Sequence, residues 1–249
     1  MKYALSIITY FTKEILDRGR LDLFKKSINS LIKSNFEGPV FLVDDGSSVT
    51  NHIDYVRGLN DSRINIVLKD TNGGLSKMFN TGIRLILDEG CDYGFLANDD
   101  IVYSKDWFTP YLDAMSKTSI HHLSFFSQSW VSDSPTSTRS QDFTINGCDL
   151  VSYNWVQGGL LTFTREMIQN IGYFKIMPYK SGHEHSNFSI RAAHHQYSIG
   201  FVDIKDSHKY LRYAEDAGKI TTRDSDFREQ AKVNENLIGS LSYEPCIEE

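Results

Sequence analysis

The chain has 249 residues, 40% of them hydrophobic and 23% charged, which suits one large α/β domain or a domain with an elaborated second half. A formal charge of −6 argues against nucleic-acid binding through broad phosphate contacts. Cys91, Cys148 and Cys246 are too scattered for a zinc or disulfide framework, no apolar run approaches the ~20 residues of a membrane span, and the apolar start lacks a small-residue cleavage site, so a soluble, cytoplasmic protein is the expectation.

Tyr3 to Thr9 reads as a first strand ending in polar Thr9 and Tyr10. Leu21, Phe24, Ile28, Leu31 and Ile32 have helical spacing. Pro39 to Val43 is a buried strand that runs into Asp44-Asp45-Gly46-Ser47-Ser48, and Ile64 to Leu68 is a third strand, followed by Asn72-Gly73-Gly74. Leu75 to Leu87 is helical, with Leu75, Met78, Phe79, Ile83, Ile86 and Leu87 on one side. Tyr93 to Ala97 is a fourth strand, and the apolar run that starts at Phe95 ends abruptly in adjacent carboxylates, Asp99 and Asp100, after Asn98. Strands alternating with helices predict a mainly parallel sheet whose polar tips gather at the carboxyl ends, where ligands collect.

Those tips suggest chemistry. Adjacent carboxylates repel unless a proton or cation neutralises one, and Mg²⁺ or Mn²⁺ prefers one or two carboxylates together with phosphate oxygens. An acidic strand-to-turn junction is the plain alternative. Asp44-Asp45-Gly46-Ser47 offers acceptors for a base N–H and a close backbone approach, and Asn72-Gly73-Gly74 can turn tightly and bare its N–H groups; both also read simply as turns. Neither a P-loop nor a dinucleotide fingerprint is present.

Taken in order, Ser6-Ile7-Ile8-Thr9-Tyr10, Val43-Asp44-Asp45-Gly46-Ser47, Asn72-Gly73-Gly74-Leu75-Ser76 with Asn80-Thr81-Gly82, and Asn98-Asp99-Asp100 resemble the nucleotide-sugar half of family-2 glycosyltransferases of the GT-A fold. The resemblance implies an α/β, Rossmann-like, mainly parallel sheet with a smaller acceptor-side half. It places Thr9, Tyr10 and Asp45 at the base and Asn72, Gly73 and Gly74 near the donor. Asn98 and Asp99 fall by the ribose, and Asp100 on a divalent metal, Mn²⁺ or Mg²⁺, at the diphosphate. Many relatives carry Arg before the Asn of the Asn-x-Gly element; here it is Phe79, which passes the basic contact to Lys77 or elsewhere.

In the second half, Trp107 to Met115 reads as a helix, Ile120 to Trp130 as an apolar run and Ser132 to Gln141 as a loop. Gly158 and Gly159 lead an extended run that, by resemblance, faces the acceptor; Met167 to Gly172 is a short helix. The family pattern of Glu-Asp, a second Asp two residues on and an Arg seven after the Glu keeps Glu184 and Arg191, but His185 and Asn187 replace the two Asp residues. In relatives the first Asp is usually the general base. A His with an ordinary pKa of ~6.5 can take its place, so His185 is preferred as base and Glu184 is the alternative. His183, His185, His194 and His195 do not form His-Glu-x-x-His; a zinc site and a purely structural cluster are the other readings. Tyr197 to Asp203 is a last strand, and His208 falls where several GT-A enzymes complete the metal shell. Lys209 and Arg212 are candidates for facing the diphosphate, and Arg223 to Leu237 for a helix.

The expected organisation is a nucleotide-sugar half at 1–103, an acceptor half at 104–213 and a helical tail at 214–249. The expected activity is inverting, metal-dependent transfer of a hexosyl or pentosyl group from a UDP or dTDP sugar to a hydroxyl-bearing acceptor. A nucleotidyltransferase and a non-catalytic nucleotide-sugar binder are the rivals; the first normally needs a basic triphosphate loop, which Thr9-Tyr10-Phe11-Thr12 does not supply.

Overall fold

The computed structural model describes residues 1–126, 139–145, 148–153, 156, 159–179, 183–202, 207–214, 227–238 and 244–247. A five-stranded sheet organises the first half: β1 (Tyr3–Thr9), β2 (Val40–Asp44), β3 (Ile64–Leu68), β4 (Tyr93–Asn98) and β9 (Leu160–Thr164), in the order β3-β2-β1-β4-β9. The first four run parallel and β9 is antiparallel to β4. Strand β1 is central, and its side chains alternate between the two faces as the pleat requires. Leu5 and Ile7 enter one core with Phe24, Ile28, Ile53 and Trp107, while Ala4 and Ile8 enter the other with Phe79, Ile83, Phe163 and Phe188.

Helices supply both layers. On the first face lie α2 (Arg20–Ile32), α3 (Asn51–Leu59) and α5 (Thr109–Lys117); on the second lie α4 (Leu75–Asp88), α6 (Arg165–Ile171) and α7 (Glu184–His194). A five-residue helix, α1 (Lys13–Asp17), begins at Thr12, whose hydroxyl accepts from the Ile15 N–H. Helix α3 is not in the sequence reading, because only His52, Ile53 and Val56 of its residues are buried, too short a stripe to register as a period.

Strand β4 matches the fourth strand expected at Tyr93 to Ala97. It ends before Asp99 and Asp100, and β5 (Ile101–Tyr103) leaves the main sheet to pair with β11 (Leu211–Tyr213). A third sheet, in the order β6-β10-β8-β7, contains β6 (Ile120–Phe125), β7 (Arg139–Ile145), β8 (Cys148–Tyr153) and β10 (Ser198–Val202). The β7–β8 pair begins inside the segment read as a loop, and most of that loop lies outside the described residues. Helix α8 (Phe227–Ile238) follows. No helix among the described residues is long and apolar enough to cross a membrane.

Candidate donor and catalytic site

The carboxyl ends of β1, β2 and β4 meet, and their polar residues are joined by hydrogen bonds between neighbouring tips. At the end of β1 the buried Thr9 hydroxyl donates to Asp99 Oδ2 at 2.9 Å. Parallel pairing sets β1 beside β4, with Ile8 opposite Asn98, so the residues just beyond each strand face one another. Asn98 is half-buried, and its N–H donates to the Gly159 carbonyl at 2.9 Å.

The two aspartates after β2 do different things. Asp44 turns inward: His52 Nε2 lies 2.8 Å from its Oδ1, the Ser47 N–H donates to its Oδ2 at 3.0 Å, and the Ser47 hydroxyl also contacts it. Burial alone would raise the Asp44 pKa, but these hydrogen bonds outweigh it and hold the carboxyl below its ordinary value. The Ser47 hydroxyl also accepts from the Phe11 N–H at 2.7 Å, which ties the loop after β2 to the loop after β1 beside half-buried Tyr10.

Asp45 is fully buried and clamps the glycine turn. Its Oδ1 accepts from the Gly73 N–H at 2.9 Å and its Oδ2 from the Gly74 N–H at 2.8 Å. Gly46 lies at φ +71°, and a Cβ there would sit 2.6 Å from the Thr71 carbonyl carbon, so only glycine lets the two loops close. Asn72 Oδ1 is buried without a hydrogen-bond partner. The exposed Lys77 packs its stem over Gly73, where a Cβ would be 3.0 Å from Lys77 Cδ, so a basic side chain stands at this turn where Phe79 supplies none.

Arg20 is the residue the sequence reading missed. It opens α2 and is buried; one nitrogen donates to Asp100 Oδ2 at 2.9 Å and the other to Asp99 Oδ1. Burial and the Asp99 charge raise the Asp100 pKa above its ordinary value, against the pull of Arg20. Asp100 Oδ1 is buried with no hydrogen-bond partner. An unoccupied carboxylate oxygen at a strand tip fits a hard divalent cation. Among the described residues no three His, Cys, Asp or Glu side chains stand close enough to hold a metal by themselves, so such an ion would share ligand oxygens.

The expected second metal ligand is not brought to Asp100. Strand β11 pairs Leu211 with Tyr103 and Tyr213 with Ile101, and the Ala214 N–H donates to the Asp100 carbonyl at 2.7 Å. The antiparallel register therefore sets Ala214 beside Asp100 and carries His208 away from it, onto an exposed helical turn. Arg212 is exposed, opposite Val102.

In the second half of the chain, Gly159 is buried, and a Cβ there would press on Phe125 and Tyr213; Gly158 lies outside the described residues. Glu184 and His185 open α7, Glu184 buried and His185 half-buried, with His185 Nδ1 3.6 Å from Glu184 Oε1. That distance is an electrostatic contact rather than a hydrogen bond, and His185 Nδ1 has no hydrogen-bond partner. Arg191 goes elsewhere: fully buried, it donates to the Tyr173 carbonyl and lies 5.7 Å from the Phe188 ring centroid. It braces α7 against the chain after α6 rather than lining the strand tips.

The family model described as glycosyl transferase family 2 matches residues 7–192. An uncharacterized glycosyltransferase of Acanthamoeba polyphaga mimivirus is 32% identical over 214 residues, 85% of this chain and 81% of that protein. The structure of GalNAc-T7 with UDP, GalNAc and Mn²⁺ superposes with a TM-score of 0.70 at 12% identity, covering 96% of this chain and 48% of that one. S. aureus TarS in complex with UDP-GlcNAc gives 0.60 at 16% identity, covering 94% and 65%. This chain spans about half to two thirds of the length of these two solved structures.

Proposed function

The chain belongs to glycosyl transferase family 2, and from that membership we propose that it moves a sugar from a nucleoside-diphosphate donor, with a uracil or thymine base, to an acceptor hydroxyl with inversion and with a divalent metal. The observation that carries this is the junction of Thr9, Asp45, Asp99 and Asp100 at adjacent strand tips. Structural relatives carry Mn²⁺ and UDP, or UDP-GlcNAc, in their complexes, which supports the donor class.

Asp45 fixes the glycine turn and keeps lone pairs for an imide N–H, since a carboxylate offers about four acceptor positions. Thr9 and Asp99 set the ribose side. Asp100 would hold the metal through Oδ1, and the metal would offset the charge of the leaving diphosphate. His185, at the open end of α7, takes the acceptor proton as that oxygen bonds to the anomeric carbon. The bond from this carbon to the diphosphate oxygen breaks on the opposite face, and the diphosphate leaves with the electron pair. Glu184 stands close enough to orient the imidazole or to serve in its place.

A thermal-shift panel of UDP, dTDP, GDP and CDP sugars with and without Mn²⁺ tests the donor half. A ligand that binds only the folded state raises its stability by mass action. A metal-dependent shift with UDP or dTDP sugars is expected; no shift with any of the four overturns the proposal.

A further inference from the structure

The acidic pair at the strand tips faces a cation that the chain itself provides. Arg20, 8% exposed, donates to Asp99 Oδ1 and to Asp100 Oδ2, and Thr9 donates to Asp99 Oδ2. Those three oxygens are occupied. The fourth, Asp100 Oδ1, is buried without a partner, as is Arg20 Nε. Two carboxylates and one guanidinium leave a single net negative charge where the sequence suggests two.

That difference matters to a divalent ion. The guanidinium takes a ligand oxygen and adds a repelling charge at short range, in a site where water screens poorly. Mg²⁺ and Mn²⁺ sites of one or two carboxylates are normally completed by phosphate oxygens. A diphosphate would bring those oxygens and enough negative charge to satisfy both the ion and the guanidinium, whose planar donor fork suits phosphate as it suits carboxylate.

We propose that Arg20 is a resident counter-cation and positioning residue of the acidic pair: it fixes both carboxylates before any ligand arrives, leaves Asp100 Oδ1 as the open ligand atom, and makes uptake of a divalent ion depend on a nucleoside diphosphate arriving with it. This inference rests on the donor-site proposal above. A purely structural ion pair would stabilise the fold equally well but would not link metal uptake to nucleotide.

The test is Mn²⁺ titration of the full chain, followed by the electron paramagnetic resonance signal of free Mn²⁺, with and without saturating UDP. UDP binding is measured separately by calorimetry, with and without Mn²⁺. The unaltered protein takes up Mn²⁺ at least about tenfold more tightly with UDP than alone, a coupling typical of linked sites. Arg20→Gln gains about tenfold in affinity for Mn²⁺ alone, by the return of an uncompensated carboxylate, and loses most of the UDP dependence. Arg20→Lys keeps the charge but loses the planar fork, and falls between the unaltered protein and Arg20→Gln. Equal Mn²⁺ uptake with and without UDP in the unaltered protein overturns the inference without needing a variant to fold. So does a folded Arg20→Gln protein that keeps both affinities. In either case measurable UDP binding leaves the donor site standing, whereas absence of UDP binding even with Mn²⁺ overturns both.

Discussion

Asn80 and Phe174 exchange two hydrogen bonds across 94 residues: Asn80 Nδ2 donates to the Phe174 carbonyl at 2.9 Å, and the Phe174 N–H donates to Asn80 Oδ1 at 2.8 Å. Asn80 is buried in α4, behind the glycine turn, and Phe174 follows α6. The Asn of the Asn-x-Gly element is therefore a joint between α4 and the chain after α6. Asn80→Ala leaves a buried N–H and a buried carbonyl unpaired, at ~1–3 kcal/mol each. A loss of about 2–4 kcal/mol in urea unfolding is expected; a loss below about 1 kcal/mol would mean the joint is not needed.

Asp45 and the glycine turn stand or fall together. Asp45→Asn keeps the volume but replaces one acceptor oxygen with an NH₂ group, which cannot accept from an amide N–H. One of the two clamps, at Gly73 or Gly74, must open. Hydrogen bonds to charged groups contribute ~1.5–3 kcal/mol, so nucleotide affinity by calorimetry should fall about tenfold to a hundredfold. Retained affinity would assign Asp45 to turn structure alone.

How far the sequence foretold this site depends on the sequence distance of each contact. Thr9, Asp45, Asp99 and Asp100 were legible because each ends an apolar run, and strand ends in a parallel sheet must converge. Arg20 was not. Nothing near position 20 indicates which acid it meets, and its partners lie 79 and 80 residues away. His208 is a related case: its expected place rests on position in the chain, whereas strand register decides what stands beside Asp100, and the β5–β11 pairing sets Ala214 there. Arg191 is expected at the site only from the family's Glu-to-Arg spacing, which says nothing of its contacts; its fully buried guanidinium serves the Tyr173 carbonyl. The β7–β8 pair was obscured by its Ser- and Thr-rich approach, whose composition reads as a turn.

Substitution at the head of α7 separates the two candidate bases. Removing a positioned general base typically costs ~10²–10⁴-fold in rate. His185→Ala is expected to lose turnover on that scale, with donor affinity kept. Glu184→Gln, which keeps the shape beside His185, is expected to lose about tenfold or less if its part is orientation. The reverse ranking in single-turnover transfer assays would make Glu184 the base.

Gly82 in α4 offers a contest between two known effects. Alanine in place of a mid-helix glycine normally stabilises by ~1 kcal/mol. Here a Cβ would sit 2.7 Å from Ser6 Cβ and 3.3 Å from Leu96 Cδ2, both on strands of the central sheet. Overpacking of this kind costs ~1–3 kcal/mol, and Ser6 Cβ, fixed to the β1 backbone, cannot turn aside, so it should win. Gly82→Ala is expected to lower stability by about 1–2 kcal/mol in urea unfolding; a more stable protein would show that α4 can draw back from β1 at little cost.

The buried His122 makes stability depend on pH in a window set by its own shift. Its ring is inaccessible to solvent, with Nδ1 2.8 Å from the Thr162 carbonyl and Nε2 2.9 Å from the Ser189 hydroxyl. A carbonyl only accepts, so Nδ1 carries the proton and Nε2 accepts from Ser189. Burial pushes the pKa down to about 4, partly opposed by the Thr162 carbonyl and reinforced by His185. The unfolded chain takes up a proton at ~6.5, so between that value and about 4 the unfolded state binds more protons than the folded one. Stability from this group is therefore complete above about pH 6.5 and lost as the pH falls toward 4. At ~1.4 kcal/mol per unit of difference, the loss approaches 3 kcal/mol. Urea unfolding at a series of pH values from 8 to 4.5 should show it, and His122→Gln should flatten the slope between pH 6.5 and 4.5, whatever its effect at pH 8. An unchanged slope in that variant would move the pH dependence to another group.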